Sequence, residues 1–405
     1  MIAVAMAIMN VASYAFTMIA AHLMGTERYG AFASVMNLLL IFSVASLGLQ
    51  ATAARRIARD PGEAETIAAS IFVLLRRVVA PLGVVLVLAA PLIQWLLRLE
   101  TLAPVVVASL ATVPLTVMGA QAGILQGERR WGPLALVYLA AGVPRLVIGT
   151  AILLLHPSVT WAIVGVALGM LAPALVGGWA LRGRGRVRAD AHRHSVRSLV
   201  LETAHNSQTL LAFFALSNAD LIVARNVVDA HEAGLYASGL ILTKAMVFLP
   251  QFVVVVAFPA MSTPAQRLQA LLRGLGAIAA LGVLGTVAAW LLADVALLFI
   301  GGAEYAEVKA YLWLFALIGT VLSMLQLLIY SALAQRSLRA SVAMWLAFSA
   351  LVLMGLRTSN FADLALLVLL VDVALVVPLL WIAVRTPPSP QTEQPDPTST
   401  ASAPH

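Results

Sequence analysis

A chain of 405 residues that is 61% apolar and only 11% charged lacks the polar surface a soluble globule of this size requires. It has no cysteine, which excludes disulfides, thiolate nucleophiles and thiolate metal sites. The formal net charge of +7 does not imply nucleic acid as a partner, because most arginines lie in short segments beside hydrophobic stretches, the footprint of membrane orientation.

Apolar stretches of about 20 residues, enough to span a hydrocarbon core about 30 Å thick, recur along the whole chain. They fall at 1–24, 30–51, 75–97, 102–125, 133–155 and 158–181, then at 199–224, 234–259, 271–300, 310–333, 340–356 and 361–384. The expected fold is an all-α integral membrane protein of about twelve transmembrane helices. The first stretch lacks a basic leader and is interrupted by Asn10, Ser13, Tyr14 and Thr17, so it reads as a true span rather than a signal peptide. Pro81, Pro91, Pro104, Pro114, Pro144, Pro173, Pro250 and Pro259 are expected to kink spans.

The longest polar connection, RGRGRVRADAHRHSVR from Arg182 to Arg197, divides the chain. The expected organisation is an N-terminal six-helix lobe (1–181), a basic cytoplasmic linker (182–198), a C-terminal six-helix lobe (199–385) and a Pro/Ser/Thr-rich tail (386–405). Such a tail cannot build a packed core and is expected to be disordered. With the N-terminus in the cytoplasm, eighteen Lys and Arg fall in cytoplasmic segments and five in external ones, leaving Arg145 and Lys244 inside spans. The positive-inside rule then places the chain in the cytoplasmic (inner) membrane with both termini cytoplasmic.

An internal repeat is visible. GlyAlaPheAlaSer at 30–34 opens the second span and GlyLeuTyrAlaSer at 234–238 opens the eighth, each after a short external loop holding Glu27 or Glu232. The offset of 204 residues equals six spans, so the halves are expected to be parallel repeats about an axis along the membrane normal. Two such bundles are the usual anatomy of alternating access.

The same segments resemble a known family. MetGlyThrGluArgTyrGlyAlaPhe at 24–32, SerLeuGlyLeuGln at 46–50, AlaAlaArgArgIleAla at 53–58, LeuGlnGlyGluArgArg at 125–130 and AsnAlaAspLeuIleValAlaArg at 218–225 are similar in order and spacing to the Wzx-type polysaccharide-biosynthesis flippases. These belong to the multidrug/oligosaccharidyl-lipid/polysaccharide exporter superfamily. The resemblance covers about 1 to 385. It implies two six-helix lobes in a V around a central cavity, and an activity that moves a polyprenyl-diphosphate-linked glycan from the inner to the outer leaflet.

An ionisable side chain in mid-membrane costs at least about 2.5–3.5 kcal/mol and needs a reason. Arg145 is central in the fifth span, Lys244 lies within the eighth, Asp220 in the outer third of the seventh and Asp372 in the middle of the twelfth. Polar stripes accompany them at helical spacing. They are Asn10, Tyr14 and Thr17; Glu202, Asn206, Thr209, Phe213, Ser217 and Asp220; Tyr236, Lys244 and Gln251; and Ser323, Gln326 and Tyr330. The functional reading has Arg145 and Lys244 binding a diphosphate while Asn10, Tyr14, Asn206, Gln251, Gln326 and Tyr330 hydrogen-bond the sugars. Asp220 and Asp372 are candidates for cation coupling. The structural reading pairs Arg145 and Lys244 with those two aspartates as ties between lobes, and makes the stripes interhelical glue.

These observations rank four functions. An exporter of lipid-linked oligosaccharide comes first, with an anionic glycan substrate, membrane lipids and the polysaccharide-biosynthesis machinery as expected partners. A cation-coupled multidrug antiporter comes second, because the first six spans hold no mid-membrane carboxylate and Arg145 is their central charge. A membrane enzyme would need a large loop or an Asp-rich metal motif, and neither is present; no cofactor or metal is expected. A non-transporting scaffold is the fourth reading.

Overall fold

The computed structural model describes residues 1–182, 196–248, 267–334 and 338–385, so the central linker from 183 to 195 and the tail lie outside the described residues. The described residues form helices and no strand. The first helix, α1, runs Ile2–Arg59. At 1.5 Å per residue a straight helix of 58 residues would be about 87 Å long, nearly three hydrocarbon cores. It is not straight. Gly25 has φ 73° and ψ 172°, a conformation that favours glycine. The rings of Phe16 and Phe32 meet edge to face at 5.9 Å, although a straight helix would hold them about 24 Å apart. The chain therefore doubles back at Gly25, and α1 supplies both the first and the second span. The short loop expected between them is absent; helix resumes at once, and Glu27 and Arg28 lie in it.

The remaining helices are α2 (Ala64–Leu88), α3 (Ala90–Leu96), α4 (Ala103–Gly127), α5 (Trp131–Leu155), α6 (Val159–Ala180), α7 (Val196–Val227) and α8 (Ala230–Phe248). They continue with α9 (Arg267–Leu291), α10 (Ala293–Ile300), α11 (Leu312–Ala334), α12 (Leu338–Gly355) and α13 (Phe361–Arg385), with a 3₁₀ segment at Gly302–Tyr311. The third span is broken into α2 and α3, and the ninth into α9 and α10. Prolines behave in two ways. Pro81, Pro114, Pro144 and Pro173 lie inside helices, as does Pro378. Pro91 and Pro104 instead stand in first turns, where the missing N–H has no intrahelical acceptor to lose. Pro250 and Pro259 lie outside the described residues.

Ten described helical stretches are long and apolar enough to cross a membrane, with the doubled α1 counted once. Val84, Leu88, Trp95, Leu155, Leu175 and Trp290 stay exposed. Faces of that kind suit lipid and not water. The chain is a multi-pass membrane protein.

Packing follows small residues. Gly119, Gly123 and Gly127, one per turn of α4, lie against Ser46, Gln50 and Ile57 of α1, where any Cβ would collide. α5 pairs with α6, and α4 contacts both α1 and α6. In the second half α11 packs on α8, α9 and α13, while α12 pairs with α13 and α7. The halves meet chiefly where α1 packs on α7 and α8.

Candidate functional site: a cavity between the repeats

The repeat seen in sequence is matched in space. Gly30 and Gly234 stand opposite one another, and a Cβ on Gly30 would lie 3.0 Å from Gly234 Cα. Three residues before each motif serine, a backbone carbonyl accepts its hydroxyl at the same distance: Ser34 to Ala31 O at 2.7 Å, Ser238 to Leu235 O at 2.7 Å. Beyond this contact the helices line a cavity of about 130 Å³. Residues 204 apart line it together, as Thr17 with Leu221, Ala33 with Ala237, Met36 with Leu240, Asn37 with Ile241, and Leu40 with Lys244. Arg145, Ser13, Tyr14, Phe16, Tyr29, Phe32 and Phe248 complete the lining. Two cations and no carboxylate face this space among the described residues.

Each cation is positioned by helix packing. Gly142, Arg145 and Gly149 share one face of α5. Gly142 abuts the backbone of Met9, and Gly149 abuts the ring of Phe16. Arg145 is thereby brought to Ser13, the residue between those two neighbours, and donates from a terminal guanidinium nitrogen to Ser13 Oγ. Behind it Gly169 of α6 lies against Arg145 Cα, where a Cβ would come within 2.6 Å. Arg145 Nε is buried and finds no partner among the described residues. Lys244 crosses from α8 to α1, where Nζ donates to Asn37 Oδ1 at 2.6 Å.

The two aspartates are elsewhere. Asp220, 3% exposed, accepts from Tyr236 Oη at 2.9 Å and from the Leu221 N–H at 2.8 Å. Asp372 on α13 is 2% exposed, and its Oδ2 has no partner among the described residues. It lies within electrostatic reach of Asp220 and Tyr236, as Lys244 does of Asp220. The direct pairing of Arg145 and Lys244 with these aspartates, the structural alternative, is not what their hydrogen bonds show. Each cation meets a neutral oxygen of α1 instead. Serine and asparagine lie nearer, so neither cation has a carboxylate in hydrogen-bond contact among the described residues, and Asp220 acts on Lys244 only at a distance.

The other sequence candidates divide. Tyr14 lines the cavity beside Arg145 and Lys244. Asn10 and Gln326 are half-buried and do not line it. Asn206 lies on α7 and Tyr330 on α11, and Gln251 falls outside the described residues. Ser217 and Ser323 spend their hydroxyls on carbonyls four residues back in their own helices. Sequence reading passed over Asn37, although it is the sole strongly polar residue in the run SVMNLLLIF. It also passed over Arg225 as loop. Arg225 is buried in the last turn of α7, donating to the carbonyls of Leu97 at 3.0 Å and Arg98 at 2.7 Å.

That bond belongs to a set joining the halves at one end of the cavity. Asn226 Nδ2 donates to Leu96 O at 2.7 Å. Thr26 N–H donates to Glu304 Oε1 at 3.1 Å, and its hydroxyl bonds His231 Nδ1 at 3.1 Å. Tyr305 Oη reaches Ala21 O at 2.9 Å.

The chain is a helical membrane bundle with a cation-lined cavity between its two sequence halves. The model for the polysaccharide biosynthesis protein family matches residues 1–264, and the chain belongs to that family. Among solved structures it is similar to an inward-facing multidrug resistance MATE family transporter of the MOP superfamily, with TM-score 0.75, 12% identity, and coverage of 92% of this chain and 93% of that one. It is similar also to the lipid II flippase MurJ in an inward closed conformation, with TM-score 0.72, 13% identity, and coverage of 96% and 88%. An outward-facing MATE family transporter of the same superfamily gives TM-score 0.63 at 13% identity, covering 94% of each chain. No curated protein matches the chain.

Proposed function

We propose that this chain is a flippase that carries a polyprenyl-diphosphate-linked oligosaccharide across the cytoplasmic membrane by alternating access, for cell-surface polysaccharide synthesis. The observation that carries the reading is the placement of Arg145 and Lys244, one from each half, in one cavity without a facing carboxylate. An uncompensated cation in a membrane is expensive, and an anionic head group compensates it. Guanidinium takes phosphate oxygens in a bidentate way, while ammonium acts as a point charge. Family membership and the fold shared with MurJ support the same direction. Tyr14, which lines the same cavity, meets the hydroxyl-rich part of the ligand. The chain acts as a carrier and not as an enzyme.

The two halves act as lobes that rock about their contact. In the orientation proposed from charge counting, the Thr26–Glu304 and Arg225–Leu97 ties lie on the external side and hold it closed. The greater likeness to the inward-facing MATE transporter supports that assignment. Asp220 and Asp372, buried together beside Tyr236, favour a second reading in which a cation drives the cycle.

The test is leaflet exposure of the lipid-linked glycan in vesicles from cells lacking the chain. Restoring the wild type should release glycan to the external face, while Arg145→Ala should leave it trapped. Equal exposure with and without the chain, once redundant flippases are removed, contradicts the proposal.

A further inference from the structure

Asn37 sits in the second leg of α1, 1% exposed, and lines the cavity with Arg145 and Lys244. Its amide orientation is fixed by chemistry. An ammonium carries donors only, so the group facing Lys244 Nζ at 2.6 Å must be the oxygen. The nitrogen is then turned away from Lys244, and it is buried with no hydrogen-bond partner among the described residues. Buried amide donors are nearly always paired, so an unpaired one at a cavity calls for an acceptor from outside the chain.

The repeat sharpens this point. Positions 37 and 40 correspond to 241 and 244, and all four line the cavity. The first repeat has Asn37 and Leu40; the second has Ile241 and Lys244. Each repeat thus supplies one polar and one apolar residue, and the two polar ones meet across the interface between halves. An isoleucine at 37, as its counterpart has, would leave Lys244 without an acceptor and the cavity without this N–H donor.

We infer that Asn37 is a binding and positioning residue for an oxyanion. Its Oδ1 holds Lys244 at the cavity, and its Nδ2 donates to another oxygen of the head group that Lys244 attracts. The inference rests on the flippase reading of the cavity and adds a neutral donor, from the opposite half, to its two cations. Because α1 and α8 belong to different halves, a head group bound there is held by both at once.

Asn37→Asp is the decisive variant. It keeps the size and the acceptor for Lys244, but removes both N–H donors and adds a negative charge beside the bound anion. Binding to the purified full chain is measured with a sugar-free short polyprenyl diphosphate, with the matching polyprenyl alcohol as control. Asn37→Asp should lose at least tenfold in affinity for the diphosphate, with alcohol binding and Tm held at wild-type levels. Asn37→Ser, which retains a hydroxyl donor, should lose less than Asn37→Asp. Should Asn37→Asp bind the diphosphate as wild type does while Arg145→Ala fails to, Asn37 is a helix clip only, and the flippase site stands without it. Should the wild type itself not prefer the diphosphate to the alcohol, the flippase reading and this inference fall together.

Discussion

Gly30 and Gly234 occupy the same register of the two repeats and face each other so closely that a Cβ on Gly30 would lie 3.0 Å from Gly234 Cα. A Cβ on Gly234 would collide with the backbone of Thr26. The close approach sets α1 against α8 and brings the paired cavity positions beyond it into line. Helix interfaces in membranes depend on such small residues because packing, rather than expulsion of water, holds the helices together.

Gly234→Ala should therefore destabilise the protein by about 1–3 kcal/mol through overpacking. Gly276→Ala, where nothing lies within 4 Å of the added Cβ, should leave Tm unchanged or raised. Thermal unfolding in detergent compares the two. Equal effects would show that the contact is not a tight one.

The ties between Thr26 and His231 and between Thr26 and Glu304 must break if the external side opens during transport. The chain has no cysteine, so an introduced pair reports without background. In Thr26→Cys combined with His231→Cys, a short reducible cross-linker should stop transport, and reduction should restore it. Transport that continues through the cross-link would mean that the halves do not separate here.

Tyr236 is fully buried and donates to Asp220, so Tyr236→Phe leaves a buried carboxylate short of one donor. A loss of about 1–3 kcal/mol is expected. Asp220→Asn keeps an acceptor for Tyr236 and should fold with a smaller loss. If the aspartates couple a cation, Asp220→Asn and Asp372→Asn should also flatten the dependence of transport on the ion gradient, which vesicles under imposed gradients would reveal.

Much of this arrangement was legible beforehand, and the exceptions have physical causes. Arg145 and Lys244 announced themselves because lone cations in apolar helices are costly. The repeat around Gly30 and Gly234 was visible because packing demands small residues at that register. The doubling back of α1 was legible as the polar break at 25–29 between the first two spans; what stayed hidden is that Gly25 alone makes the turn and helix resumes at once. Asn37 was hidden for a different reason. It is a single residue without a stripe, and its importance comes from Lys244, which lies 207 positions away. Arg225 looked like loop because charge counting assigns span ends to water, whereas its guanidinium is buried against the carbonyls of Leu97 and Arg98 in the turn after α3. Asn10 and Gln326 lie outside the lining of the described cavity, since helical spacing sets a shared face without saying which face meets the cavity.

In the proposed cycle the two cations bind a diphosphate in transit. Proteoliposomes holding the purified chain would be loaded with polyprenyl-diphosphate-linked oligosaccharide in one leaflet, and its arrival in the other followed over time. The wild type should speed transfer, while Arg145→Ala and Lys244→Ala should each lower it about tenfold or more, in keeping with the loss of a charge-assisted bond worth about 1.5–3 kcal/mol. Turnover at wild-type rates in both variants, with the protein folded, would mean that the cations do not bind the diphosphate.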